Sequence, residues 1–415
     1  MATTSPESVR EEVREWAAAN WSPDLTVGEW WTRLAESGYA APTFPEDSFG
    51  RGYSRALANI VNEELAKVKA VGPPAGLGYL LAAPTLATHA TPEQKQHWLR
   101  RILDGSDAWC QLFSEPGAGS DLAGLQCKAE RDGDEWIITG QKVWTSTAQL
   151  CNMGMLIART DPESPKHTGI TYFGIDMDQP GIEIRPLKEM TGRAMFNEVF
   201  LDGARVPDAN IIGGLNNGWA VANTTLAAER AGLGSGGSGA VGSAFPGPIS
   251  NQLGVRVGDT VGQERTGGTG GGGGGMAERL IKLATENGTI SEPVIRQGIA
   301  KLWSLQQIGK YSTLRMRSGG ASAGAPNLAK LMMSDMLRLN REVATAVLGP
   351  QIAIMGKDSM SGGMQQEMVL FSPGPSIYGG TDQVQRNIIG ERALGLPKEP
   401  DPNKGAPFKD IPKNT

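Results

Sequence analysis

The stretch 127–146, "CKAERDGDEWIITGQKVWTS", marks a change in the sequence pattern of this 415-residue chain. Asp132 and Gly133 stand between two strand-like runs, and an Asp-Gly pair in this setting favours a two-residue hairpin turn. Short strand-like segments broken by Gly, Asp and Pro continue to about residue 214. They predict an antiparallel sheet or sandwich of roughly 100 residues in the middle of the chain.

The segments on either side of this region have helical periodicity. "PESVREEVREWAAANW" (6–21) places Val9, Val13 and Trp16 on one face, with acidic residues early, as helix starts prefer. The helical period returns at "GWAVANTTLAAERAG" (218–232) and continues to about residue 396. Because strands and helices do not alternate, a Rossmann sheet is not expected.

The fold class predicted is α+β multidomain. The expected parts are an N-terminal helical domain (1–108), a central antiparallel β domain (109–214), a C-terminal helical bundle (215–398) with a flexible glycine-rich insert near 245–275, and an extended tail (399–415).

The insert ends in six consecutive glycines, 270–275. One interpretation is a loop that cradles phosphate. However, no GK[ST] follows, and unbroken glycine has high chain entropy, so we interpret the segment as a flexible linker.

Composition excludes several classes of protein. The net charge is 39 − 44 = −5, so neither nucleic acid nor an anionic membrane surface is an expected partner. No apolar run approaches the ~18 residues of a spanning helix, and the first residues lack the pattern of a secretory signal, so we expect a cytoplasmic protein. The three cysteines form no CxxC pair and the three histidines share no metal-ligand spacing, so no metal is expected. A Ser-His-Asp hydrolase is not expected either, because His167 lies in the polar, turn-like segment "ESPKHTG" (163–169).

Two motifs carry the candidate chemistry. "LFSEPGAGSDLAG" (112–124) has small residues that let the backbone approach a ligand, although an ordinary turn has the same composition. "GQKVWTSTA" (140–148) has an aromatic residue followed by hydroxyls, which suits a planar heterocycle. The alternative for its tryptophan is a buried strand residue.

In this order and at this spacing, the two motifs resemble the acyl-CoA dehydrogenase family. The resemblance also covers "GWAVANTTLAAERAGLG" (218–234) and "YGGTDQVQRNIIGERALGLP" (378–397), and it spans roughly residues 8–398. That family has a helical domain, a β domain and a four-helix bundle, with FAD between the last two. The resemblance therefore implies FAD as cofactor, acyl-CoA as substrate and an electron-transferring flavoprotein as electron acceptor.

The resemblance also implies site residues. The cofactor contacts it implies are Phe113, Ser114, Ser120, Trp144, Ser146, Arg256, Gln351, Thr381 and Gln383. The substrate contacts it implies are Ser120, Arg230, Gly379 and Gly380. Ser114 matches a hydroxyl at the pyrimidine edge of the flavin, Trp144 the aromatic packed against it, and Ser146 the hydroxyl bonded to its N5. Ser120 matches a loop serine near the pantetheine and the FAD phosphates.

Some of these contacts cross between subunits in the family. Thr381, Gln383 and, more weakly, Gln351 match positions that reach a neighbour's FAD. An oligomer is therefore implied, either a homotetramer or a hetero-oligomer with a related chain. The chain departs from the family at the usual R-x-x-F-G element, which it lacks; Arg256 and Arg265 are the candidate substitutes.

The catalytic base is also displaced from its usual place. Many family members carry a glutamate directly after the tyrosine of the 378 turn, but here Tyr378 precedes Gly379 and Gly380, and glycine cannot accept a proton. In isovaleryl- and long-chain-type members, the base stands on a bundle helix immediately before an arginine. Glu229 and Arg230 match that arrangement. An exposed ion pair is the alternative, but the surrounding small, uncharged residues favour a packed helix.

The resulting hypothesis is that Glu229 takes the α-proton while flavin N5 accepts the β-hydride, leaving a trans-2-enoyl-CoA. Two rivals remain open. One is a non-catalytic flavoprotein subunit of a hetero-oligomer, and the other is an acyl-CoA oxidase-type relative that passes electrons to oxygen.

Overall fold

The structure, a computed structural model, describes residues 5–234, 252–260, 275–318, 320, 324–356 and 358–412. Among these residues, no helix combines the length and the apolar character needed to cross a membrane. No group of three or more metal-ligating side chains occurs in the same described part of the chain.

The first part of the chain is helical, as predicted. Its helices are α1 (Pro6–Asn20), α2 (Val27–Glu36), α3 (Arg55–Lys67), α4 (Ala83–His89), α5 (Pro92–Gln94) and α6 (Arg100–Leu103). Two π-helical turns, Gly78–Ala82 and Lys95–Leu99, precede α4 and join α5 to α6. α2 begins where Thr26 and Glu29 cap each other's backbone N–H groups, at 3.2 and 2.8 Å. Its tryptophans fill the core of this domain.

A curled seven-stranded sheet follows. Its strands are β1 (Trp109–Leu112), β2 (Lys128–Asp132), β3 (Glu135–Ser146), β4 (Met153–Arg159), β5 (Ile170–Asp176), β6 (Ile182–Leu187) and β7 (Phe196–Pro207). They run in the order β1-β4-β2-β3-β7-β6, and β5 pairs with β4. The predicted hairpin is present, because Asp132 faces Glu135 across a turn in which Gly133 has a φ of 66°.

The sheet is mixed, so the expectation of a purely antiparallel domain is wrong. β1 pairs with β4 in parallel, and β2 joins β4 in parallel through Lys128 and Arg159. Parallel pairing requires a connection of about a dozen residues or more. The long connection from β1 to β4, which includes the β2–β3 hairpin, provides it.

The chain then returns to helices. They are α7 (Gly218–Gly234), α8 (Val257–Thr260), α9 (Met276–Glu286), α10 (Pro293–Arg317), α11 (Ala325–Leu348), α12 (Met364–Phe371) and α13 (Asp382–Ile388). Leu280, Leu302 and Val347, from α9, α10 and α11, lie in one apolar core. α7 belongs to a different core, because its buried face packs on the N-terminal domain and the sheet.

The predicted flexible insert is not flexible throughout. Residues 252–260 are anchored to the N-terminal domain, where Gly28 N–H donates to Leu253 O (2.9 Å) and Val257 N–H to Leu25 O (2.8 Å). The Val257 side chain is fully buried in the N-terminal core. An apolar side chain and paired main-chain groups thus fix this segment, whereas 245–251 and 261–274 lie outside the described residues.

Candidate active site

Helix α7 is held by a buried group of hydroxyls. The Thr225 hydroxyl lies 2.8 Å from that of Thr85 on α4 and 3.2 Å from the phenol oxygen of Tyr172 on β5. All three side chains are almost fully buried. Residues four apart share a face of a helix, so Glu229 projects one turn further along the face that Thr225 anchors.

Glu229 is partly buried beside β1 and accepts a hydrogen bond from the side chain of Gln111. Burial raises the pKa of Glu229, while the Gln111 hydrogen bond and the charge of Arg230 oppose that rise without cancelling it. Arg230 is partly buried too, so an ion pair on an open solvent face does not describe these two side chains. Sequence reasoning missed Gln111; the available signal was a polar residue inside the apolar run of β1.

The turn that lacks the family's usual glutamate lies next to Glu229. Burial and the charge of Glu229 raise the pKa of Tyr378 to about 12, which places its phenol near that carboxylate. Gly379 and Gly380 have φ values of 62° and 81°, in the left-handed region where L side chains are strained. Gln385 donates to the carbonyl of Gly379 at 2.7 Å, which holds the turn in this conformation.

A buried charged group on α11 anchors the start of α13. Asp382 is 3% exposed and accepts hydrogen bonds from Ser334 (2.8 Å), Arg338 (2.8 Å) and the fully buried Lys330 (3.1 Å). Thr381 caps the same helix by accepting from Val384 N–H at 3.1 Å. The position of the glycine turn is therefore set by α11, a relation that no motif in the sequence indicated.

Trp144 occupies a position that suits a planar cofactor. It lies at an irregularity of β3 between Lys142 and Thr145, where the register with β7 shifts. Its φ is 60°, a strained value for a bulky residue, and its side chain is 62% exposed and contacts Phe196 edge-on. The neighbouring Thr145 hydroxyl is buried and has no hydrogen-bond partner among the described residues. Strain, an exposed indole and an orphaned hydroxyl fit the binding of a flavin here, and the predicted buried-strand alternative for Trp144 is wrong.

A buried lysine is hydrogen-bonded to the loop that contains Ser114 and Ser120. Lys142, fully buried, donates to Glu115 (2.9 Å) and to the carbonyl of Phe113 (3.1 Å). Ser114 is partly buried and Ser120 is exposed, so both hydroxyls have accessible surface. Phe113 differs: its ring is 4% exposed and packs on Tyr172, which leaves the side chain little surface for a cofactor.

The other predicted cofactor contacts differ in exposure and position. Ser146 is partly buried at the end of β3, while Gln351 and Gln383 are exposed. Arg256 forms an ion pair with Asp24 of the N-terminal domain and contacts none of the predicted site residues in the described part of the chain. Arg265 lies outside the described residues. The roles of Gln351, Gln383 and Arg256 toward a neighbouring subunit stay predictions.

Sequence profiles of one family match most of the chain. The N-terminal, middle and C-terminal domains of acyl-CoA dehydrogenase match residues 3–106, 110–204 and 269–394. The chain therefore belongs to the acyl-CoA dehydrogenase family. Members of this family are FAD-dependent flavoproteins, so FAD is the cofactor of this chain.

Individual relatives are moderately similar. The acyl-CoA dehydrogenase IpdE1 of Mycobacterium tuberculosis is 34% identical over 412 residues, which cover 95% of this chain and 98% of that protein. FadE34 of the same organism is 38% identical over 88% of this chain, but the match spans only 46% of its own length.

Solved structures show the same fold. The ChsE4-ChsE5 complex from M. tuberculosis has a TM-score of 0.67 at 27% identity, covering 96% of this chain and 99% of the matched one. The Tcur3481-Tcur3483 steroid acyl-CoA dehydrogenase has a TM-score of 0.69 at 23% identity, with the same coverage.

Proposed function

We propose that this enzyme oxidises the Cα–Cβ bond of an acyl-CoA thioester to a trans-2-enoyl-CoA, with Glu229 as the base that takes the α-proton. The observation that carries the proposal is the position of Glu229. Its carboxylate is desolvated, bonded to Gln111 and near Tyr378, beside a turn whose glycines offer no acid or base.

The residues of this chain would have distinct roles. A desolvated carboxylate with a raised pKa is a stronger base toward a weakly acidic α-carbon than an exposed one. The Gln111 amide orients that carboxylate by donating to it. The main-chain N–H groups of the Gly379–Gly380 turn are candidate donors to the thioester oxygen, where negative charge develops.

FAD, when bound, supplies the acceptor for the β-hydride. Trp144 would pack against its ring system, with Ser114 and Ser146 as hydroxyl partners. Ser120, exposed on its loop, would face the phosphates or the pantetheine. In this proposal the chain contributes a base, Glu229, and a surface around Trp144 that holds the flavin.

The test is anaerobic bleaching of the purified yellow protein by a panel of acyl-CoA esters, including straight, branched and steroid side-chain esters. We expect at least one ester to bleach the flavin, and the flavin to stay reduced until an artificial electron acceptor is added. That result would favour an electron-transferring flavoprotein as the acceptor. Rapid recolouring by oxygen would instead identify an oxidase, and a panel without bleaching would contradict the proposed reaction.

A second proposal concerns assembly with a related chain. The similar ChsE4-ChsE5 structure is described as a complex of two components. Arg256, a candidate substitute for the missing R-x-x-F-G element, is paired with Asp24 of its own chain. Helix α10 also has exposed aromatic side chains, such as Trp303 (48%) and Tyr311 (63%), that a second chain could cover. Native mass spectrometry of the chain, purified alone and co-expressed with a related chain from the same genome, tests it. Stable FAD in a homo-oligomer would contradict this assembly, and FAD retained only in the mixed complex would support it.

A further inference from the structure

The C-terminal tail does not simply run along the surface, because it is anchored to the β domain. Phe408 N–H donates to Ser164 O at 3.0 Å, and Lys409 N–H donates to Pro162 O at 3.0 Å. The Phe408 side chain is only 5% exposed. Phe408 lies 408 − 159 = 249 positions after Arg159, the last residue of the strand it contacts, so its burial is a long-range packing contact.

The side chain that receives Phe408 is Arg159, at the end of β4. The Arg159 guanidinium carbon lies 3.6 Å from the centroid of the Phe408 ring, and Arg159 is 4% exposed. Burial lowers the pKa of Arg159 to about 10, so the aromatic face stabilises a desolvated cation. Stacking of this kind depends on the planar guanidinium.

The same guanidinium holds the loop that carries Ser120. One terminal nitrogen of Arg159 donates to the carbonyls of Ala123 (2.7 Å) and Leu125 (3.4 Å), and the other to that of Lys166 (2.8 Å). Lys166 in turn forms an ion pair with Asp121. The tail, the 160–169 loop and the 116–125 loop are therefore connected through one buried side chain.

We propose that Phe408 and Arg159 are positioning residues that hold the 116–125 loop in the form that binds the coenzyme A part of the substrate. This inference rests on the proposed function, because that function makes Ser120 a substrate contact. Without Phe408, Arg159 would lose the surface that covers it and would be free to take other rotamers. The carbonyls of Ala123 and Leu125 would then lose their donor, and the loop would loosen.

The direct test is hydrogen exchange of the full-length, FAD-loaded protein, followed by mass spectrometry. In Phe408→Ala, and in a chain that ends at residue 403, peptides covering 116–125 should exchange about tenfold faster or more. Phe408→Leu, which keeps apolar bulk but not the aromatic face, should give a smaller increase. Leu396→Ala is the matched control, because Leu396 lies just before the tail and its side chain is 57% exposed. Peptides from α11 should stay unchanged in all four proteins, and unchanged exchange at 116–125 in Phe408→Ala would overturn the proposal.

Binding of free coenzyme A, measured by calorimetry, separates positioning from a merely structural contact. We expect its dissociation constant to rise about tenfold in Phe408→Ala and to stay unchanged in Leu396→Ala. Since coupling between two sites is reciprocal, saturating coenzyme A should also slow exchange of the 404–411 tail in the unmodified protein. A loosened loop with unchanged coenzyme A affinity would overturn the role in binding.

Flavin bleaching and coenzyme A binding distinguish failure of the positioning role from failure of the proposed function. If the unmodified protein bleaches with an acyl-CoA ester but Phe408→Ala behaves identically, the positioning role fails and the proposed function stands. If no acyl-CoA ester bleaches the unmodified protein and coenzyme A does not bind it, the proposed function fails, and with it the assignment of the loop as a coenzyme A contact.

Discussion

Replacing Glu229 with glutamine should nearly abolish turnover while leaving the fold intact. The amide has the size of the carboxylate, and its carbonyl oxygen still accepts the hydrogen bond from Gln111, so only the proton acceptor and the charge are lost. General base catalysis contributes about 10²–10⁴-fold, so we expect a fall of at least about a hundredfold, or about 2.7 kcal/mol of barrier. The assay is the rate of anaerobic flavin bleaching by an acyl-CoA ester that the unmodified protein turns over.

Glu229→Gln should also raise the free energy of unfolding at neutral pH. Because burial raises the folded-state pKa of Glu229, the folded protein binds this proton more tightly than the unfolded chain does. The free energy of unfolding therefore falls as pH rises from the ordinary carboxyl value of 4.5 through the folded-state pKa, and the full loss is reached above that pKa. Glu229→Gln removes this penalty, so it should melt at a higher temperature than the unmodified protein at neutral pH, and the difference should shrink on acidification.

Glu342→Gln, an exposed change on α11, is the matched control and should alter neither rate nor melting temperature. A Glu229→Gln variant that keeps full activity would refute the base assignment. If Glu229→Gln is inactive but has also lost its flavin, its rate does not test the base. The melting comparison would then decide whether the carboxylate is buried as described.

Three further predictions follow from the same site. Gln111→Leu removes the hydrogen bond that lowers the pKa of Glu229, so the acid limb of the pH–rate profile should move to higher pH, and an unmoved limb would contradict the contact. Gly380→Ala should destabilise the protein by more than the roughly 1–2 kcal/mol that a left-handed backbone costs an L residue, because its Cβ would also lie 2.7 Å from Gln385 Nε2. Urea unfolding measures this loss, and an unchanged free energy of unfolding would contradict the turn geometry. Lys330→Met should lower the free energy of unfolding by about 3 kcal/mol, the low end for breaking a buried ion pair, because Arg338 still pairs with Asp382. Restored stability in the double variant Lys330→Met/Asp382→Asn would confirm that the unpaired charge of Asp382 is the cause.

The contacts between Asp382 and α11 should make the stability of the protein depend on pH in the acid range. Burial alone would raise its pKa, but hydrogen bonds from Arg338, Ser334 and Lys330 outweigh burial and hold it below the ordinary value of 3.8. The stability that this group contributes is therefore present above pH 3.8 and is lost as pH falls through the folded-state pKa. This loss occurs below pH 3.8, whereas the effect of Glu229 occurs above pH 4.5, so one set of melting curves can distinguish the two.

The sequence predicted those features that depend on local pattern. Helical periodicity, the Asp132–Gly133 hairpin and the spacing of the two motifs led to the helix–strand–helix order, which the fold confirms. What it did not predict depends on contacts between distant segments. The burial of residues 252–260 on the N-terminal domain involves main-chain groups, which leave no mark in composition. The parallel pairing of β1 with β4 likewise depends on which strands meet after the chain has curled.

The site shows the same division between local and long-range information. Glu229 could be proposed from a motif, but the burial that raises its pKa could not, nor could the hydrogen bond that moderates it, which comes from Gln111, 118 positions earlier. The glycine turn could be recognised as lacking an acid, but its left-handed backbone is held by Gln385 and, through Asp382, by α11. A glutamate placed at Gly379 would therefore have to adopt a strained φ of 62° in a turn fixed from two sides. The backbone at Gly379 thus disfavours a glutamate there, which supports the proposal that the carboxylate of Glu229 on α7 is the base.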